Sequence, residues 1–129
     1  MPNESRELTV DHRKHPRYHV HWRVAIVFGE QGERETFHGK TYDLSLSGAS
    51  IYSDHNVFVE EPVKVLLAIP SYVTNKPDKI IEISARMIYT VLSASHHQFR
   101  TGLHFQRFKS GGRKILEENL AKRADFDGK

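Results

Sequence analysis

Twelve residues near the N-terminus, Asp11 to Trp22, read DHRKHPRYHVHW. They set Arg13 and Arg17 on either side of a proline and crowd His12, His15, His19 and His21 into the same stretch. Three chemistries fit such a run: a metal site, a clamp for an anion or nucleotide, and a solvated basic arm. Guanidinium groups are planar forks of donors that match phosphate oxygens and the O6/N7 edge of guanine. In an extended chain His19 and His21 face one side. A zinc site needs further ligands at set geometry, however, and the chain has no cysteine. His15 and His19 have helical spacing, but Pro16 biases His15 away from helix. No metal site is expected, and these histidines read as solvent-facing or hydrogen-bonding groups. His96 and His97 read as a turn.

A second constellation stands at DLSLSG, residues 43–48. Asp43 and Ser45 occupy alternate positions at a strand end. The carboxylate suits guanine N1–H and N2–H, and the hydroxyl suits a phosphate or a base. Gly48 either takes backbone angles closed to other residues or lets a ligand approach the chain. The competing reading is a capped turn, in which Asp43 and Ser45 bond nearby backbone amides. Catalysis finds no support. The serines lie in no Gly-x-Ser-x-Gly elbow leading into a helix, and no acid spacing suggests a catalytic pair. No catalytic residue and no enzymatic activity are expected.

These residues must be held by elements that alternate. The apolar positions Val20, Trp22, Val24, Ile26 and Phe28 recur at every second residue, as do Val63, Val65, Leu67 and Ile69. Ile81, Ile83, Ala85, Met87 and Tyr89 form a third such set, and Phe99, Thr101, Leu103 and Phe105 a fourth. RETFHGKTYDLS reads as a more polar strand, and ASIYS as a strand restarting after the glycine. Only GGRKILEENLAKRA, residues 111–124, reads as a helix, with an apolar stripe of Ile115, Leu116 and Leu120 and Ser110 placed to cap it. The pattern predicts an all-β fold: a small six-stranded antiparallel barrel with one C-terminal helix. Residues 1–10 are expected to be a loose arm, 11–124 one domain and 125–129 a tail.

The 129 residues suffice for one core. Nineteen basic against 16 acidic side chains leave a net charge of +3. That suits an anionic partner without requiring one. No apolar run approaches the ~20 residues that span a bilayer, so no membrane insertion is expected. The N-terminus lacks a signal-peptide core, which makes the cytoplasm the expected location.

Together, RKHPR at 13–17 and DLSLSG at 43–48 resemble the paired signature of the PilZ domain family, Arg-x-x-x-Arg followed by [Asp/Asn]-x-Ser-x-x-Gly. TGLHF at 101–105 is similar to that family's last barrel strand, and ARMIY at 85–89 to its Gly-Arg-Val-Val-Trp segment. The resemblance spans roughly residues 11–109. It implies a bacterial receptor domain for cyclic di-GMP, bound as a ligand and not as a cofactor. Arg13 and Arg17 would then bind phosphates and guanine Hoogsteen edges from a mobile segment. Asp43 and Ser45 would meet a guanine from the barrel, with Gly48 permitting the turn. Tyr89 would be a peripheral contact, or else a core residue or a surface strand aromatic. His12 stands where family members differ between binding one ligand and binding a stacked pair, so stoichiometry is open.

The implied output is a change in the surface offered to an unidentified downstream protein. Monomer and homodimer are both compatible, and no DNA partner is expected. Two alternatives remain open: a PilZ-like interaction domain that signals without nucleotide, and a small barrel that binds single-stranded nucleic acid through exposed aromatics.

Overall fold

Most residues of the apolar sets face inward. Val24 and Ile26, then Val63, Val65, Leu67 and Ile69, then Ile81, Ile83, Ala85 and Met87 are all buried, with Leu103 and Phe105 opposite them. A computed structural model describes residues 15–29 and 32–127. Among these are β1 (Arg23–Phe28), β2 (Glu35–Leu44), β3 (Gly48–Ser53), β4 (Val63–Ile69), β5 (Lys79–Ser93), β6 (Gln98–Phe108) and a helix, α1 (Gly112–Asp127). Each strand pairs antiparallel with its neighbours in the order β1-β2-β3-β6-β5-β4, and β1 closes on β4. Closure leaves none of these six strands with a free edge. The six-stranded barrel with a C-terminal helix is the expected fold.

Four departures from the expected pattern shape the site and its support. The first strand begins at Arg23, not Val20. The Trp22 carbonyl still accepts the Thr41 amide (2.9 Å), but the Trp22 amide donates to Thr41 Oγ1 (2.9 Å), and that hydroxyl bonds the Val20 carbonyl. A side chain thus replaces one ladder bond and lets the chain bend off the strand line. It returns to β2 at an isolated bridge, where Tyr18 and Leu44 exchange amide bonds of 2.8 and 2.9 Å.

The second and third departures are β-bulges. Thr41 faces Ile51 but Asp43 faces Ser50, so Tyr42 is an extra residue in β2. Strict alternation would put Asp43 inside the barrel with Thr41, where an ionised carboxylate is costly. The bulge turns it outward. Likewise Met87 faces Leu103 but Tyr89 faces Gly102, with Ile88 as the extra residue. Tyr89 therefore leaves the core face to which its spacing assigned it.

The fourth concerns the helix entry. Ser110 has φ 52° and Gly111 φ 75°. A helix-capping residue needs an extended backbone, so Ser110 does not cap α1. It reverses the chain together with Gly111. Leu116 and Leu120 then pack into the core cluster. The Arg123 guanidinium lies between the rings of Trp22 (5.0 Å) and Tyr72 (4.5 Å), which fixes the helix over the Trp22 side of the barrel.

Candidate functional site

The Tyr18–Leu44 bridge sets the segment carrying Arg17 beside the end of β2. Arg17 Nη1 lies 3.9 Å from Asp43 Oδ2. The arginine side chain is 48% exposed and the aspartate side chain 9%. A pair this long with one partner in water contributes at most about 1 kcal/mol. It orients a cation next to a carboxylate and does little for the fold. The other oxygen, Oδ1, accepts the Ser50 amide at 3.1 Å. Asp43 is thus half committed to the barrel and half turned toward Arg17.

Ser45 and Gly48 build the loop between β2 and β3. The Ser45 hydroxyl accepts the Ser47 amide (3.1 Å) and lies 3.1 Å from the Ser47 hydroxyl. The Ser45 amide donates to the Gly48 carbonyl (2.9 Å), and the Phe105 amide to the Ser47 carbonyl (2.9 Å). In this state the amide-bonded turn weighed as the competing reading of DLSLSG is what Asp43 and Ser45 form. Gly48 lacks a left-handed φ. A Cβ there would stand 2.3 Å from the Leu103 carbonyl oxygen, so glycine is needed for the close approach of β6 to β3 and not for a turn.

Register extends the site across the wall. Asp43 faces Ser50, Ser50 faces Gly102, and Gly102 faces Tyr89, so the four form one row on the outward side of the sheet, with the first three covered from solvent. The Tyr89 ring lies against Gly102, where a Cβ would meet it at 2.3 Å. Arg100, not among the residues expected at the site, pairs with Tyr52 in the next row. Its Nη2 donates to Ser50 Oγ at 3.3 Å, and its guanidinium carbon sits 5.5 Å from the centre of the Tyr42 ring. Its Nε is shielded from solvent with no acceptor among the described residues. An unmatched donor of this kind costs about 1–3 kcal/mol.

Around Tyr42 gather His19 (5.6 Å between ring centres), His21 (6.2 Å), Tyr52 (5.4 Å) and His96 (6.1 Å), and His96 stacks on Tyr52 at 4.3 Å. The histidines expected as bystanders thus frame the tyrosine beneath Arg100. No group of three metal-ligating side chains occurs among the described residues. His12 and Arg13 lie outside the described residues.

A wide groove of about 780 Å³ crosses the outer face of β1 and β4, with Ala25, Leu66, Ala68 and Ile80 in its wall and Tyr52 and Lys40 at one side. It includes neither Arg17 nor Asp43. Arg23, His38, Lys40 and Gln98 add polar groups to its rim, but none of the motif residues Arg17, Asp43, Ser45 and Gly48 lines it. The described motif residues of the barrel, Asp43, Ser45 and Gly48, lie instead on β2, β3 and the loop between them.

The family model of the PilZ domain matches residues 11–122. The chain belongs to the PilZ domain family. The match takes in both arginine positions, the DLSLSG loop and most of α1. Three solved structures share the fold of this PilZ domain. The inhibitor of motility MotI/DgrA of Bacillus subtilis superposes with a TM-score of 0.72 at 17% identity over 92% of this chain and 53% of its own. The K. pneumonia MrkH–c-di-GMP complex gives 0.61 at 14% identity, over 93% and 56%. YcgR from Escherichia coli, in complex with c-di-GMP, gives 0.60 at 14% identity, over 90% and 50%. The chain spans about half the length of these proteins. A search of curated proteins finds no match. No described helix of this PilZ domain is long and apolar enough to cross a membrane.

Proposed function

We propose that this chain is a cyclic di-GMP-binding sensor or adaptor, in which the arginine segment closes over the dinucleotide on the β2–β3 face of the barrel. The observation that carries this reading is the juxtaposition of Arg17 and Asp43 Oδ2 at the barrel surface, inside a chain whose family model covers both motifs. Two structural neighbours, MrkH and YcgR, are complexes with c-di-GMP, which agrees with the same ligand here.

In this reading Arg13 and Arg17 bind phosphates and a guanine Hoogsteen edge. Asp43 accepts from guanine N1–H and N2–H through the oxygen it now offers Arg17. Ser45 and Gly48 hold the loop at the height the ligand requires. Tyr89, on the same outer row, lies at the periphery, and His12 decides between one ligand and a stacked pair.

Closing the arm costs about 1–2 kcal/mol of backbone entropy per ordered residue. Charge-assisted hydrogen bonds of about 1.5–3 kcal/mol each offset it. The output is a changed surface for a downstream protein, with residues 11–124 acting as one domain in the cytoplasm and without chemistry of its own. Trp22, the aromatic nearest the basic arm, is buried under Arg123, which weighs against single-stranded nucleic acid stacking on it.

Isothermal titration calorimetry with cyclic di-GMP tests the proposal. Saturable binding that weakens with salt and is abolished in Arg17→Ala supports it. A wild-type protein that gives no binding heat at micromolar concentrations contradicts it.

A further inference from the structure

Asp43 and Arg100 stand on either side of Ser50. The Ser50 amide donates to Asp43 Oδ1 at 3.1 Å, and its hydroxyl accepts from Arg100 Nη2 at 3.3 Å. One residue thus holds an acceptor, Asp43, and a donor fork, Arg100, side by side on the outer wall. Guanine presents the complementary pattern: O6 and N7 as acceptors, N1–H and N2–H as donors beside them. Adenine places a donor, its N6 amino group, where guanine has O6.

Arg100 also has capacity to spare. Of its five donors the structure matches one, through a long bond, and its Nε finds no acceptor among the described residues. Its plane is supported by Tyr42, which is framed by His19, His21, Tyr52 and His96. Arg17, by contrast, is half exposed on a bent segment outside the strands. A guanidinium anchored on a paired strand is preorganised for recognition in a way that one on the arm is not.

We infer that Arg100 is a third ligand-binding arginine, which reads the O6/N7 edge of a guanine and sets the base specificity of the site. The inference rests on the cyclic di-GMP reading of the same face. To the arm, which supplies closure, phosphate charge and a Hoogsteen contact of its own, it adds a reader of base identity on a paired strand, the β6 arginine beside Asp43.

The test is calorimetry of wild type, Arg17→Ala, Arg100→Ala and Arg100→Lys with two ligands, cyclic di-GMP and its 7-deaza analogue, which keeps both phosphates but lacks guanine N7. Thermal melts confirm that each variant is folded. Arg100→Ala is expected to weaken cyclic di-GMP binding by roughly tenfold to a hundredfold, and to shrink the preference over the 7-deaza ligand by about fivefold or more. Arg100→Lys keeps the charge but not the planar fork and should recover little of either effect.

Arg100→Ala binding within about threefold of wild type, while Arg17→Ala loses binding, overturns the role of Arg100 and leaves the functional reading intact. Equal losses for both ligands, or full recovery by lysine, place Arg100 on a phosphate and overturn the guanine assignment. Absence of wild-type binding overturns the functional reading itself.

Discussion

β4 and the first half of β5 bury only apolar side chains: Val63, Val65, Leu67, Ala68, Ile69, Ile81, Ile83, Ala85 and Met87. Across the barrel, the buried polar residues Thr41, Asp43, Ser45, Ser50, Ser53 and Thr101 all lie on β2, β3, β6 or the loop joining β2 to β3. One wall gains from hydrophobic transfer, which is non-directional and tolerates small shifts. The other buries Phe37, Leu44, Ile51, Leu103 and Phe105 as well, but its polar groups depend on hydrogen bonds with particular partners, and a bond left unmade there costs more than a made one contributes. The apolar wall keeps the barrel closed, so the polar wall can hold a half-committed carboxylate and an under-used arginine.

Substitutions that act on one wall and not the other sharpen this contrast. The largest stability loss is expected from Ile83→Ala on the apolar wall, where the side chain is fully buried. Chemical denaturation should show a loss of about 2–5 kcal/mol, with ligand affinity of the folded protein unchanged. Asp43→Ala should cost about 1–3 kcal/mol by orphaning the buried Ser50 amide, and should also remove binding. Asp43→Asn keeps an acceptor for that amide, so it should restore most of the stability but little of the affinity.

Gly48→Ala drives a Cβ against the Leu103 carbonyl. A thermal melt should report a loss of about 1–3 kcal/mol from overpacking. Gly102→Ala presses first on the Tyr89 ring, a side chain and not backbone, and should change tyrosine fluorescence with a stability loss under about 1.5 kcal/mol. Arg17→Ala lies at the other extreme, with stability within about 0.5 kcal/mol of wild type and binding abolished. If Arg17→Ala unfolds the protein, or Ile83→Ala selectively removes binding, the division between walls fails.

The apolar wall was legible in the sequence because alternation is local. Val63, Val65, Leu67 and Ile69 declare their face without reference to any other strand. The polar wall was legible only in part. RKHPR and DLSLSG stood out as motifs, and the Arg17–Asp43 pairing agrees with their being read together. Two bulges then shift the parity of β2 and β5, and no period-2 reading contains an extra residue. For that reason Tyr89 was assigned to the face of Met87, while Tyr42 drew no attention.

Arg100 did carry a signal, since it sits between the inward residues Phe99 and Thr101 and must face out. Knowing that it faces the DLSLSG strand required the β3–β6 pairing, a contact between residues 50 apart. The missed cap at Ser110 has a different origin. Serine before a helical run is a good capping sequence, but the tight reversal from β6 into α1 demands left-handed angles at Ser110 and Gly111 instead.

In the proposed function the ligand is expected to bind the polar wall and to leave the apolar wall alone. Amide nitrogen–proton NMR spectra recorded during titration with cyclic di-GMP test it most directly. The account predicts that shifts concentrate at residues 15–21, 42–50 and 100–104, while the amides of β4 and of β5 before Met87 stay within the scatter. Shifts concentrated instead along Ala25, Leu66, Ala68 and Ile80, in the aliphatic groove, would contradict it.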